Sequence, residues 1–415
     1  MPNTILTINM ITREAVRLWK NSNEFIQHID QQYDDQFAKT GAKIGTTVRV
    51  RLPNDFTVRH GPAAQVQDTS EQSTTLTLAN QDGVDVSYSS VDRTMSLDDF
   101  SRRVLAPMVN NLAGDVAANI MATVDGGGPA GGIARIVGNF DGAGNVQTPT
   151  AQTWLSAGAQ LDLNSAPRGR RKLIIDPLTM ARTVASLTGL LNPQGKIAEQ
   201  YKSGQVASDT LGFDWYSDQT VIKHVTGAYT SAQAVSATVN GANQTGLAIT
   251  INALAGTYAL GDIVTFTNVN SVNRITKVST QTPAQFVLTA AVANGGVTLN
   301  IYPALIPFAA GGVQVQYQTV DNSPANAADV IPATLASSVY RKNFAFVPEA
   351  ITMATADLEL PRGVHEAARE SFDGISMRMI SAYNIMTDQF ITRLDVLWGS
   401  LIVRPEWMVA VPDVV

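Results

Sequence analysis

The side chains suited to chemistry in this chain are few and scattered. Its four histidines are His28, His60, His224 and His365, and they show no metal-ligand spacing. His365 is followed by Glu366 and Glu370, as in part of a zinc-protease motif, but the second histidine is missing and the metal reading fails. Asp388 and Asp395 flank Arg393, an ordinary pattern for a surface or interface ion pair. The glycines 126–128 and 131–132 are not followed by the lysine and hydroxyl residue of a phosphate loop, and a helical pattern precedes them where a strand is required. There are no cysteines, hence no thiolate nucleophile, thiolate ligand or disulfide. With no convergent nucleophile, base and acid, the expectation is a protein that is not an enzyme and carries no cofactor or metal.

The remaining candidates concern contacts. Arg168, Arg170, Arg171 and Lys172 form the dense basic patch of the chain. It reads as a solvated loop or a subunit contact, with nucleic acid or an acidic neighbour as the alternative. Arg49, Arg51 and Arg59 fall along one early ribbon, where they suit carboxylates across an interface and serve solubility equally well. A net charge of -6 argues against binding nucleic acid over the whole chain. Charged residues make up 15% of the 415 positions against 45% hydrophobic, a balance that suits a surface covered by neighbouring subunits. No run of 18 apolar residues and no basic-then-apolar leader is present, so the expectation is cytosolic synthesis and no membrane.

Positioning falls to elements of three kinds. Helical spacing of Ile11, Ala15, Leu18, Trp19, Ile26 and Ile29 predicts an amphipathic helix over 11–29, which needs a surface to lie on. Alternation predicts a two-stranded ribbon over 46–92, with turn-like residues at 80–83 and a polar tip at 60–73. Ser96 and Asp99 form a capping box for the strongest helix, whose stripe runs from Leu97 to Met121 with Pro107 inside it, so a kink or two abutting helices are expected there. An α/β unit follows, with a helix starting near Thr148, a buried strand at 173–175, and a second helix capped by Asp176-Pro177. From about 226 to 337 only Asp262, Arg274, Lys277, Asp321 and Asp329 are charged. Alternating strands at 247–251, 263–269, 286–292, 297–301 and 313–320 predict a small barrel or sandwich inserted into an α+β host. Further strands are expected at 345–350 and 375–383, with 388–403 returning through the core.

This order of elements resembles the HK97-like fold of tailed-phage major capsid proteins, and most closely the phage P22 coat protein family with its inserted β-barrel domain. The resemblance implies an N-terminal arm over 1–45, an extended loop over 46–92 and a peripheral domain with its spine helix over 93–147. It implies an axial domain over 148–226, the inserted barrel over 227–336 and a return through both host domains over 337–415. It further implies a coat subunit that self-assembles as pentamers and hexamers into an icosahedral head around double-stranded DNA, made in the host bacterial cytoplasm. Its partners are then a scaffolding protein, a portal protein and a place for a decoration protein. Trp19, Ile26, Arg49, Arg51, Arg59, Arg168, Arg170 and Arg171 become the suspected subunit-interface residues. The loop at 240–245 lacks the acidic residues of a charged contact between capsomers. A tail-tube or baseplate structural protein is the alternative, against which the long spine helix counts.

Overall fold

Asn23 divides the first helical run. Its side-chain oxygen accepts from the Ile26 amide at 3.1 Å, so the single helix expected over 11–29 becomes α1 (Ile8–Ser22) and α2 (Glu24–His28). The computed structural model describes residues 8–34, 47–51, 73–89, 101–127, 131–187, 210–229, 236–308, 315–361, 363–372, 374–387 and 389–415, residue 206 and isolated positions between 56 and 66. Two units are present, each assembled from three segments: Met1–Val50, Thr74–Ile120 and Ile351–Leu401 in the first, and Arg51–Ser73, Met121–Ala350 and Ile402–Val415 in the second.

In the first unit β1 (Asp30–Asp34) runs parallel to β17 (Ile351–Ala356), and the sheet continues through β20 (Gln389–Ile402), β19 (Ile375–Asn384) and β18 (Glu366–Phe372). α1 lies against β18 and β19, burying Ala15, Val16 and Trp19. A shorter ribbon joins β2 (Thr47–Arg51) to β3 (Ser73–Thr77), while β4 (Asn80–Ser89) pairs antiparallel with residues 389–398 of β20. Asp395 is a correction to the sequence reading. It is fully buried, held by Arg378 and Arg393 at 2.6 Å each, and is therefore an internal charge. Asp388 and the capping box at Ser96 and Asp99 lie outside the described residues.

The spine helix α3 (Ala106–Ala122) follows a wider π-type turn, Ser101–Leu105, so the break expected near Pro107 falls at the helix start, where a missing N–H costs least. Met108, Leu112, Ala113, Val116, Ala117 and Ile120 form its buried stripe at the i, i+3, i+4 spacing. Its last residues and the turn Thr123–Gly127 belong to the second unit, and the helix ends because Gly126 takes φ +149°, which is not helical.

Among its described residues the second unit shows two separate cores. In the host part, β5 (Asn139–Phe140) and β6 (Val146–Gln147) form a small ribbon before α4 (Ala151–Leu163). Thr150 and Thr153 cap α4 reciprocally, two residues beyond the expected start at Thr148. β7 (Lys172–Ile175) is parallel to β8 (Asp214–Ser217), with α5 (Pro177–Leu187) between them in sequence, capped by Asp176 accepting from the Leu178 amide at 2.9 Å. β16 (Val339–Phe346) pairs with β7, with β21 (Met408–Val414) and with β9 (Lys223–Val225). Trp154 and Trp215 meet edge to face at 5.1 Å in this core, beside Leu161, Leu173, Val409 and Val411.

The insert forms one six-stranded sheet: β10 (Ala237–Thr238), β15 (Asp329–Pro332), β12 (Ile263–Val272), β13 (Ser279–Leu288), β14 (Thr298–Leu305) and β11 (Gly246–Thr250), in that order. Its own core runs from Tyr229 to Val330 and includes Phe266, Phe286, Leu288 and Ile301. The strand expected over 313–320 is corrected: its described residues begin with a 3-10 turn at Val315–Tyr317. β10 and β15, which alternation does not mark, complete the sheet beside β12.

Candidate functional site: a buried charged junction between insert and host

Chain leaving a host must return beside its point of departure, and here side chains fix that point. Thr226 and Ser338 join the outgoing and returning segments. The Thr226 amide donates to the Ser338 carbonyl at 3.0 Å, and its hydroxyl donates to the Leu335 carbonyl at 2.8 Å while accepting from the Ser338 amide at 2.9 Å. Ser337 donates to the Gly227 carbonyl at 2.9 Å, and the Tyr229 hydroxyl donates to the Thr334 carbonyl at 2.8 Å.

Directly beside this stem sit four ionisable side chains from four elements. Asp125 comes from the turn after α3, His224 from β9, Lys342 from β16 and Asp262 from the residue preceding β12. His224 spans the two carboxylates, with Nδ1 at 2.9 Å from Asp125 Oδ2 and Nε2 at 3.0 Å from Asp262 Oδ1. Lys342 Nζ reaches Asp125 Oδ1 at 2.5 Å and the Asp125 carbonyl at 3.2 Å. The other oxygen of Asp262 accepts from the Ala259 amide at 2.7 Å and the Gly227 amide at 3.1 Å, so one carboxylate binds both the start of the insert and its first long strand. His224, Asp262 and Lys342 side chains are at most 2% exposed, and Asp125 is 17% exposed.

Charges so deeply placed need compensation close by. Burial alone pushes the Asp125 pKa up, yet Lys342 and then His224 outweigh it and hold the carboxyl well below its ordinary range. Burial likewise pulls His224 down, and the bonds to Asp125 and Asp262 override it, so the imidazole pKa is raised above its usual value despite the nearby Lys342. Two carboxylates, one ammonium and one imidazolium sum to zero charge. Both ring nitrogens of His224 are used on carboxylates, which leaves none to ligate a metal. Backbone packing is equally close. Gly261, at φ +88°, has no room for a side chain, since a Cβ there would stand 2.4 Å from the Asp125 carbonyl oxygen.

Two further contacts tie insert to host. The Gln285 side chain accepts from the Ile136 amide at 2.9 Å and donates to its carbonyl at 3.1 Å. Arg274 meets Glu406 at 2.5 Å, and Arg404 meets the same carboxylate at 3.1 Å.

The suspected interface residues are dispersed. Trp19 and Ile26 lie in the interior of their own unit, 0% and 1% exposed. Arg49 is exposed on β2, Arg51 ends that strand, and Arg59 lies outside the described residues. Arg171 is buried and bonds Asp162 at 2.6 Å, while exposed Arg168 bonds the same carboxylate at 2.7 Å. These two arginines line a cleft of about 630 Å³ with Leu155, Gly158 and Phe213. Arg170 points to Glu349 at 3.0 Å on an exposed face. Sequence reading brought none of the junction together. Its one signal was Asp262, a lone charge preceding an apolar strand in a nearly uncharged segment.

The family described as P22 coat protein, gene protein 5, matches residues 42–411. The chain belongs to that family. On this membership it is a capsid-type structural protein, α+β in fold with a β-rich insert. No curated protein sequence matches it. Among solved structures it is similar to the capsid of cyanophage P-SCSP1u, with 14% identity, TM-score 0.47, and 94% of this chain and 88% of that one covered. It is also similar to the capsid of Ralstonia phage GP4, with 8% identity, TM-score 0.47, and 95% and 91% covered. The CUS-3 coat protein I-domain is 28% identical over 24% of this chain and 96% of its own length, with TM-score 0.18.

Proposed function

We propose that this chain is the major capsid subunit of a tailed double-stranded DNA bacteriophage and that it builds the icosahedral head that encloses the genome. The observation that carries this reading is family membership over nearly the whole chain, residues 42–411. The β insert with its own core and its built junction supports the same assignment, as does the low charge content of a surface meant to be covered. In this reading the fold is HK97-like: residues 46–92 form the extended loop, whose last strand β4 stays paired with β20 of its own chain, 93–147 the peripheral domain, 148–226 the axial domain and 227–336 the insertion domain.

The role is structural and not catalytic. Many copies meet through modest contacts repeated in pentamers and hexamers, so the sum is large while each contact is weak enough to correct. Arg49, Arg168 and Arg170 are candidates for those contacts because they stand on exposed faces. A scaffolding protein guides assembly, a portal occupies one vertex, and the net charge of -6 keeps the wall from trapping DNA. Sedimentation of the full-length chain, made alone and together with the genes beside its own, tests the proposal. Large closed particles in the second preparation support it. A small species in both preparations overturns it.

A further inference from the structure

We propose that His224 is a proton-operated latch between the insert and its host: as an imidazolium it bonds Asp125 and Asp262 at once, and on losing its proton it releases one of them. The geometry carries the inference. Each ring nitrogen stands within 3.0 Å of a carboxylate oxygen, and a carboxylate has no hydrogen to give. A neutral imidazole donates from one nitrogen only, which leaves the other lone pair facing an oxygen lone pair inside a buried site. The imidazolium satisfies both contacts, and it also brings the four-residue cluster to zero charge.

The groups facing His224 come from every element around it. Asp125 approaches from the turn after α3, Asp262 from the start of the insert, and Lys342 from β16. Tyr340 of β16 sets its ring, tilted by 46°, 5.2 Å from the imidazole and, with its pKa raised well above 10 by burial and by the two aspartates, stays neutral. Lys223 adjoins His224 on β9, opposite Arg341 in register, and Tyr229 lies near Asp262 with its pKa raised by burial.

Linkage gives the direction. The raised His224 value means that the latch contributes fully below the ordinary histidine pKa of about 6.5 and is lost as pH rises through the folded value. The depressed Asp125 value works on the other side: its contribution holds above about 3.8 and is lost only as pH falls towards the folded value. The junction is therefore tight in mild acid and loosens on the alkaline side. Asp262 is the arm whose release matters, because it alone also holds the Gly227 and Ala259 amides of the insert. The latch belongs to the single chain, whether or not that chain stands in a shell.

Ring-nitrogen NMR of the full-length chain labelled with 15N-histidine tests this, with the His224→Gln variant identifying the resonance. The expected result is two protonated nitrogens on His224 through pH 6.5 and a titration above the ordinary value. Hydrogen-exchange protection of Gly227 and Ala259, corrected for intrinsic rate, should fall by up to about tenfold per pH unit over that interval and then level. Asp262→Asn gives His224 a neutral partner, so its titration should move down and the protection step should shrink. A His224 ring that is neutral at pH 6, or protection that is flat across pH in the unmodified chain, overturns the latch; the protection reading needs no variant.

Discussion

Replacing Lys342 by methionine removes an ammonium from a site with almost no water while keeping most of the apolar stem. Lys342 is 2% exposed and makes two contacts with Asp125, at 2.5 and 3.2 Å, and its loss leaves two aspartates with one imidazolium. Breaking a buried pair by removing one partner costs about 3–5 kcal/mol because the other charge stays behind uncompensated. Asp125 retains His224 and is 17% exposed, so the low end, about 3 kcal/mol, is the expected loss. That is a large share of the roughly 5–15 kcal/mol that holds a typical native protein together. Equilibrium unfolding in urea, read on the first transition because two units need not melt together, measures it. The companion variants are Asp125→Asn and the double replacement. Asn beside Met leaves no uncompensated charge, so the double variant should lose less than the sum of the singles by at least about 1.5 kcal/mol. A loss below about 1 kcal/mol for Lys342→Met, or additive singles, would refute the argument that charge compensation holds this junction.

Gly261→Ala forces a side chain into a left-handed backbone position 2.4 Å from the Asp125 carbonyl, and a loss of about 1–3 kcal/mol is expected in the same urea titration. Trp19→Ala empties a fully buried site beneath α1 and should cost about 3–5 kcal/mol, seen as a lowered midpoint for the unassembled chain. Arg170→Ala breaks only an exposed pair, 74% and 46% exposed at its two ends, and should leave the midpoint within about 0.5 kcal/mol of the parent. Under the capsid reading, the same Arg170 change is expected to slow particle formation measured by light scattering; unchanged kinetics would remove this residue from the set of contacts.

Much of the fold was legible because its signals are local. Asp176-Pro177 caps a helix where it stands, the spine stripe repeats at helical spacing, and β19 and β20 fall within a few residues of their expected positions. Asn23 shows where local reading stops: one side-chain bond to the Ile26 amide ends a helix that periodicity carries through. β10 and β15 are two and four residues long, too short for alternation to register; β15 forms on the edge that β12 offers, and β10 forms on β15. The junction was illegible for a stronger reason. Asp125 and His224 are 99 residues apart, His224 and Asp262 are 38 apart, and Lys342 lies 217 from Asp125. Spacing motifs encode sites held on one element, and this site is held on four. Arg168 and Arg171 read as one basic patch, and the structure adds what spacing does not show: both bond a shared Asp162, its pKa lowered chiefly by Arg168, which offsets one of their two charges.

The central claim is that this chain builds a closed shell, and cryo-electron microscopy of the full-length protein, produced with its neighbouring genes, addresses it most directly. The account predicts closed particles with icosahedral symmetry, in which each subunit carries residues 227–336 as a distinct β domain seated on its host at Asp125, His224, Asp262 and Lys342. Rings or tubes without icosahedral symmetry, or a chain that never leaves the monomer, would contradict it.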